Sequence, residues 1–325
     1  MSNPAADISP VSKEHKQFYH EVLEGLASMS KYLPSKYFYD TKGDYLFQQI
    51  MQSPEYYLTD CEREILETQS LAIANKVRAE GDTFDVVGLG AGDGSKSVFL
   101  IKELLQKESC LNYFPVDISS HVISLLEEKM PKVVPGLKVK GYNGEYLEKL
   151  EQICKDSSRP KLVMFLGSNI GNFTREESVR FCSRLRHFLK PGDLLFIGFD
   201  LKKYPTTILK AYNDAAGYTK RFNLNLLERM NRELEADFCL ANFDHYPVYN
   251  PETGTCKSYL ISLRAQQISI GREIISFQQN EPIHMEVSQK YSLDDINLMA
   301  DHCGCESVAC FFDQKKWFAD VLWRC

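Results

Sequence analysis

The sequence predicts an α/β fold, a doubly wound and mostly parallel sheet, carrying a second domain of α+β type. Two patterns point there. Between residues 84 and 200, short apolar runs alternate with amphipathic stretches, the rhythm of strand, helix and parallel strand. On either side the rhythm breaks: residues 1–63 are helical and rich in tyrosine, and residues 201–290 hold two helical stretches followed by strand-like runs. The 325 residues suffice for one large domain or two modest ones. The expected division is a sheet domain at 64–200 plus 291–325, and a second domain at 1–63 plus 201–290.

The elements follow in order. "TFDVVGL" reads as the first strand and "SKSVFLIKELLQ" as a helix with apolar residues at helical spacing. "LNYFPVDI" is the second strand, followed by the helix "SSHVISLLEEKM". "LKVKGYNG" is the third strand and "KLVMFLG" the fourth, with "REESVRFCSRLRHFL" as the next helix. A Pro-Gly turn leads into the fifth, "PGDLLFIGFDL". Later, "KSYLISLRAQQISI" and "PIHMEVSQKYS" are strand-like. The chain closes with a helix, "LDDINLMADHCG", and an aromatic strand, "KKWFADVLW", that would complete the sheet.

Composition excludes several classes of function. A net charge of -6 argues against a nucleic-acid surface, which is normally basic. No apolar run approaches the ~20 residues that span a bilayer. The N-terminus "MSNPAADISPVSKEHK" lacks the order of a secretory signal and reads as a short flexible lead-in. Ten cysteines are scattered along the chain, Cys110 among them, and only "HCGCESVAC" clusters them. The spacing of Cys303, Cys305 and Cys310 beside His302 lacks the paired ligands of a structural zinc site. Reduced cysteines in a cytoplasmic protein are the expectation, with no metal. No large apolar helix face stands out, so a monomer is expected.

"VVGLGAGDGSKS" places Gly90, Gly92 and Gly94 between the first strand and its helix. Glycines there let the backbone turn sharply and approach a ligand closely. The dinucleotide pattern Gly-x-Gly-x-x-Gly fails, because Ser95 occupies the third glycine's place. The phosphate loop of nucleotide hydrolases fails too, since Ser95 separates Gly94 from Lys96. Gly-x-Gly-x-Gly resembles instead the first motif of Rossmann-like class I methyltransferases that use S-adenosylmethionine. In that family an acidic residue ends the second strand and faces the ribose hydroxyls, the place taken here by Asp117. A helix N-cap is the other reading of Asp117, and both can hold. "NGEY" resembles the adenine-contacting turn, with Glu145 placed for the exocyclic amine and Tyr146 beside the ring. Gly88 stands where many members carry an acid.

A narrower resemblance covers residue 30 to the end. "LPSKYFYDTKGDYLFQQIMQSPEYYLTDCEREIL", "GLGAGDGSKS", "MFLGSNIGNF", "YNDAAGYTKRFNLNLLERMNRELEADF" and "MEVSQKY" together resemble the histidine Nα-methyltransferases of ergothioneine biosynthesis. Those enzymes trimethylate the α-amine of L-histidine to hercynine, and fungal tryptophan-type N-methyltransferases share the framework. The resemblance implies S-adenosyl-L-methionine as cofactor, S-adenosyl-L-homocysteine as its product, and a small-molecule substrate, L-histidine and its mono- and dimethyl forms. It assigns Gly90, Gly92, Lys96, Asp117, Glu145 and Tyr146 to the cofactor. Asn172 and Tyr212 match the pair that holds the substrate carboxylate. Gly167 lies at the fourth strand's end, where its carbonyl can reach the amine, Tyr39 and Tyr56 match pocket tyrosines, and Gly167 and Tyr39 are the implied catalytic residues. Ile261 stands where the bacterial histidine enzymes usually carry methionine, and is stiffer at its β-branch. Read without the resemblance, Tyr37, Tyr39, Tyr56 and Tyr57 are core aromatics whose tips are hydrogen-bonded.

Glu286 and Ser288 match the pair that reads the imidazole. In an extended chain His284, Glu286 and Ser288 share one face and Met285 and Val287 the other. Imidazole has one nitrogen that donates and one that accepts, so an acid and a hydroxyl on one face suit it. A solvated strand edge is the alternative, and His284 matches no functional position. Two other functions remain open at this level: N-methylation of another amino acid such as tryptophan or a histidine analogue, and non-catalytic binding of S-adenosylmethionine.

Overall fold

The tyrosine-rich N-terminal region forms α1 (Lys13–Ala27), α2 (Thr41–Met51) and α3 (Tyr57–Glu80) in a computed structural model that describes residues 13–81, 83–106 and 111–325. Cys110 lies outside the described residues, as does the expected lead-in before residue 13, and α1 already begins within that stretch. Strand and helix then alternate: β1 (Asp85–Leu89), α4 (Ser97–Leu105), β2 (Leu111–Asp117), α5 (Ser120–Val133), β3 (Leu137–Val139), β4 (Tyr142–Asn143) and α6 (Tyr146–Asp156). They continue through β5 (Lys161–Phe165), α7 (Arg175–Phe188) and β6 (Leu194–Asp200). Two helices follow, α8 (Pro205–Ala211) and α9 (Tyr218–Glu233). Next come β7 (Phe243–Asn250), β8 (Thr255–Ser262), β9 (Gln266–Ile270), β10 (Glu273–Phe277) and β11 (Pro282–Gln289). The chain ends with α10 (Leu293–Cys303), β12 (Glu306–Phe312) and β13 (Phe318–Arg324).

The large sheet runs β12-β13-β6-β5-β1-β2-β3, with β4 also paired to β2. Every pairing from β6 to β3 is parallel, and β13 joins β6 and β12 antiparallel. All residues of β1, β5 and β6 are buried, which explains why they read as unbroken apolar runs rather than alternating ones. Chain order reverses between β1 and β5, so the carboxyl ends of those strands face a topological switch point. Helix starts are capped as their sequences dictate. Thr174 and Glu177 form a reciprocal capping box on α7, Ser292 and Asp295 another on α10, and Ser119 caps α5.

Four expectations are corrected. The third strand is split by Gly141 into β3 and β4. The terminal region supplies two strands where one was read, because β12 buries only Phe311 and shows no alternation of burial. β7 escaped notice because Pro247 interrupts it, which an edge strand tolerates, and β7 is the edge of the small sheet β11-β8-β7. "AQQISIGREIISF" is an antiparallel hairpin of β9 and β10 turning at Gly271, which takes a left-handed φ of 58°.

Backbone contacts divide the chain into two units. The sheet unit holds Pro54–Ala211, Tyr249–Cys256 and Val287–Cys325; the other holds the residues up to Ser53, Tyr212–Val248 and Lys257–Glu286. These limits differ from 63/64, 200/201 and 290/291. Helix α3 belongs wholly to the sheet unit because it packs on α4, β12 and β13. Tyr291 N–H donates to Asp200 O at 3.0 Å and Lys290 N–H to Gly254 O at 2.8 Å, which draws the end of β11 into the same unit.

Candidate active site

The loop after β1 is built on left-handed backbone. Gly90, Gly92 and Gly94 take φ values of 64°, 53° and 69°, a region that side chains disfavour. A Cβ on Gly90 would stand 2.5 Å from Asn169 Nδ2 and 3.0 Å from Tyr146 Oη, so this glycine is wedged between two polar tips. A Cβ on Gly92 would meet nothing within 4 Å, which leaves open space above the turn. Gly167, just past β5, is also left-handed, at φ 78°, and its Cβ direction points to Asn169 Nδ2 and Lys96 Nζ, both at 3.7 Å. Gly90, Lys96, Tyr146 and Gly167, read separately from the sequence, therefore converge around Asn169 within one unit.

Glu62 of α3 ties this cluster together. Its fully buried carboxylate accepts the Gly167 N–H at 2.6 Å and pairs with the Lys96 ammonium. Asp320 of β13 lies beside it: one oxygen from each acid lies within 3.0 Å of the same point, the place a Cβ on Gly198 would take. Burial, and then the neighbouring Glu62 carboxylate, raise the Asp320 carboxyl well above the ordinary carboxylate range.

Asp117 ends β2 as expected. Its carboxylate accepts the Gly92 N–H at 3.3 Å and the Ser119 N–H at 3.0 Å, so it both closes the glycine turn and steadies the start of α5. Burial raises its carboxyl above the usual range despite those bonds. Asn143 Nδ2 donates to the carbonyls of Asp117 and Ile118 at 3.0 and 2.9 Å, holding the "NGEY" turn against the end of β2. Glu145 occupies the N-cap position of α6 with no side-chain cap bond and is exposed. Tyr146 packs edge-on to Phe165 at 5.4 Å, and burial raises its phenol. Gly88 is explained by packing: a Cβ there would stand 2.8 Å from Tyr113 Oη, so the Tyr113 ring fills the space a side chain at 88 would need.

The remaining residues fall in both units. In the sheet unit, Tyr56 precedes α3, Asn172 ends a short 3₁₀ turn after β5 and is exposed, and Ser288 lies buried near the end of β11. Tyr39, Tyr212, Ile261 and Glu286 belong to the other unit. There Tyr39 lies edge-on to Phe47 and Phe222, each at 5.8 Å, and Tyr212 is buried. Tyr37 donates to Glu21 and Tyr57 to Asp200, so for these two the hydrogen-bonded structural reading holds. His284 is structural in its backbone: it donates to Lys31 O at 2.9 Å and accepts from Leu33 N–H at 2.9 Å. Among the described residues, no group of three or more His, Cys, Asp or Glu side chains is arranged to hold a metal, and no helix is long and apolar enough to cross a membrane.

Three residues escaped the sequence reading: Glu62, Asn169 and Lys290. Glu62 carried a usable signal, an acid set among Leu58, Cys61, Ile65 and Leu66 on the buried stripe of α3. Asn169 is three residues from Asn172, and Lys290 directly follows β11 with nothing local to mark it as buried.

Comparison with known proteins agrees with this geometry. Residues 18–325 match the family described as histidine-specific, S-adenosylmethionine-dependent methyltransferases. A histidine N-alpha-methyltransferase of Mycobacterium tuberculosis is 33% identical over 94% of this chain and 92% of its own. Another, from Mycolicibacterium smegmatis, is 36% identical over 85% of each chain. Ergothioneine biosynthesis protein 1 of Schizosaccharomyces pombe is 28% identical over 80% of this chain and 34% of its own length. With its glycine turn, the acid ending β2 and a match over nearly its whole length, the chain belongs to the family of histidine-specific, S-adenosylmethionine-dependent methyltransferases.

Proposed function

We propose that the protein methylates the α-amine of L-histidine three times, giving hercynine for ergothioneine biosynthesis. One observation carries the reading: Gly90, Asn169, Gly167, Lys96 and Tyr146 converge at the carboxyl ends of β1 and β5, where open α/β sheets bind ligands. The cradle suits S-adenosylmethionine, since the three left-handed glycines leave open space at Gly92 and a carboxylate closes the turn. When bound, that cofactor supplies an electrophilic methyl group.

The chain's own residues do the rest. Asp117 accepts hydrogen bonds from the ribose hydroxyls, while Glu145 and Tyr146 meet the adenine. Asn172 and Tyr212 hold the substrate carboxylate. The Gly167 carbonyl accepts from the α-amine, and Glu62 anchors the same residue by accepting its N–H. Positioning of this kind supplies about 7–11 kcal/mol of a two-partner barrier. The amine attacks only when neutral, and a cationic neighbour in a dry site lowers its pKa toward that state. Tyr39 lies at the amine, and tyrosine faces accommodate the growing ammonium through cation–π attraction. Glu286, Ser288 and Tyr56 read the imidazole beside Ile261.

Incubation with methyl-labelled S-adenosylmethionine and each of the twenty amino acids, followed by mass spectrometry, tests this. Label on histidine alone, reaching three added methyls, is the expected result. Transfer to tryptophan in preference, or to no amino acid, overturns it.

A further inference from the structure

The cysteine cluster "HCGCESVAC" has no part in the proposed reaction, and the fold brings it to two cysteines from elsewhere in the sheet unit. Strands β12 and β13 pair antiparallel with Glu306 opposite Arg324, and those two side chains form an ion pair on one face of the hairpin. Carrying that register one residue further sets Cys305 opposite Cys325. Side chains alternate across a strand, so both cysteines take the other face, the one shared by Trp323. There Cys303, Cys305 and Trp323 belong to the buried core of the sheet unit, and Cys325 packs against it. Among the described residues these thiols do not form a metal-binding group.

Both backbones are pinned. Cys305 N–H donates to Ala300 O at 2.9 Å, Cys325 N–H donates to Asp193 O at 2.9 Å, and Cys325 O accepts from Gly192 N–H at 3.0 Å. Residues opposite each other in an antiparallel pair have Cα atoms about 4.5–5.5 Å apart, inside the roughly 4.4–6.8 Å that a disulfide spans. The thiols already interact. A hydrogen bond between them raises the Cys325 thiol, as burial also does, and lowers that of Cys305. Cys325 is the S–H donor of the pair, and Cys305 the sulfur that ionises first. Cys305 is buried but Cys325 is partly exposed, so a small reagent can reach the pair from one side. The neighbouring pair differs in this respect. Cys303, at the end of α10, is drawn down to about 7 by a hydrogen bond with Cys182 of α7. Cys182 is fully enclosed, however, with Sγ 3.8 Å from Met299 Sδ.

We propose that Cys305 and Cys325 are a modification site, a dithiol that small-molecule disulfides oxidise reversibly to a cross-link. One thiolate of the pair attacks a sulfur of the oxidant and displaces one small thiolate. The second protein thiolate then attacks the mixed disulfide and displaces the other. Two S–H bonds are lost, one S–S bond forms in the protein, and the oxidant is reduced to two thiols that take up the two protons. The bond joins the open ends of the β12–β13 hairpin. Because β12 is an edge of the large sheet, the bond braces a strand that has a neighbour on one side only. It closes a loop of about 20 residues, and that constraint on the unfolded chain raises the melting temperature by several degrees.

The test is to incubate the folded protein with glutathione disulfide, alkylate the remaining thiols and cleave without reduction for mass spectrometry. Peptides joined through Cys305 and Cys325, and separated by dithiothreitol, are the expected result. By scanning calorimetry the oxidised protein should melt several degrees above the reduced form. Cys325→Ser should lose both the cross-link and the rise in melting temperature, whereas Cys303→Ser should keep both. Thiols that stay free, glutathione adducts without a cross-link, or a bond that uses Cys303 would overturn the assignment. A bond between Cys305 and Cys325 that leaves the melting temperature unchanged would overturn the bracing role.

Discussion

Glu286 shows how far a single residue could be read. It lies half-buried on β11 between Met285 and Val287, both of which are buried. Parity alone separated its face from theirs, because successive strand side chains point opposite ways. An acid in such a place costs free energy unless a donor meets it. Under the proposed function Glu286 accepts the imidazole N–H of the substrate. Replacing Glu286 by Ala should therefore raise KM for histidine about 10- to 100-fold, the equivalent of about 1–3 kcal/mol for an orphaned partner, with a smaller change in kcat. Steady-state kinetics with histidine varied decides it, and an unchanged KM would remove Glu286 from imidazole recognition. Glu62 and Lys290 could not be read in the same way. Each is a charge whose partners, Lys96 and Gly167 in one case and Asp200 in the other, are tens of residues distant in the chain.

At the scale of elements, continuous apolar runs identified β1, β5 and β6, because strands buried on both faces need no polar alternation. The same criterion passed over β12, of whose residues only Phe311 is buried, and β7, which carries Pro247. Strand β1 also shows packing that no pattern reveals. Its Gly88 pairs with Pro115 in the ladder, yet the neighbour that fixes its identity is Tyr113, whose buried phenol is pushed up to about 12 by desolvation. Gly88→Ala would force that ring aside and should destabilise the protein by about 1–3 kcal/mol, as overpacked cores do. Chemical denaturation followed by tryptophan fluorescence measures this, and an unshifted midpoint would show that Tyr113 yields without cost.

At the scale of the whole molecule, pH dependence is carried in part by a histidine that lies outside the sheet unit. His245 is buried with Nε2 3.3 Å from Ser258 Oγ, and desolvation lowers its pKa to about 4. Between that value and the unfolded value near 6.5, the unfolded chain binds a proton that the folded one does not. Stability should thus be full above about pH 6.5 and fall as pH drops toward 4, by on the order of 2–3 kcal/mol from this group. His245→Gln should flatten that part of the profile; an identical slope in both proteins would assign the effect elsewhere.

The amino-acid order by itself determined the strand-helix alternation, the glycine turn, the acid that ends β2 and the family. All of these are local patterns, or motifs in sequence order, and local geometry suffices to express them. The tertiary structure alone decided where the two units divide, that Asn169 and Glu62 join the glycine loop to Gly167, and that Lys290 is a buried donor to Ser288. Glu62 and Lys290 are buried where the fold brings Lys96 and Asp200 to them, and no short stretch of sequence contains either pair.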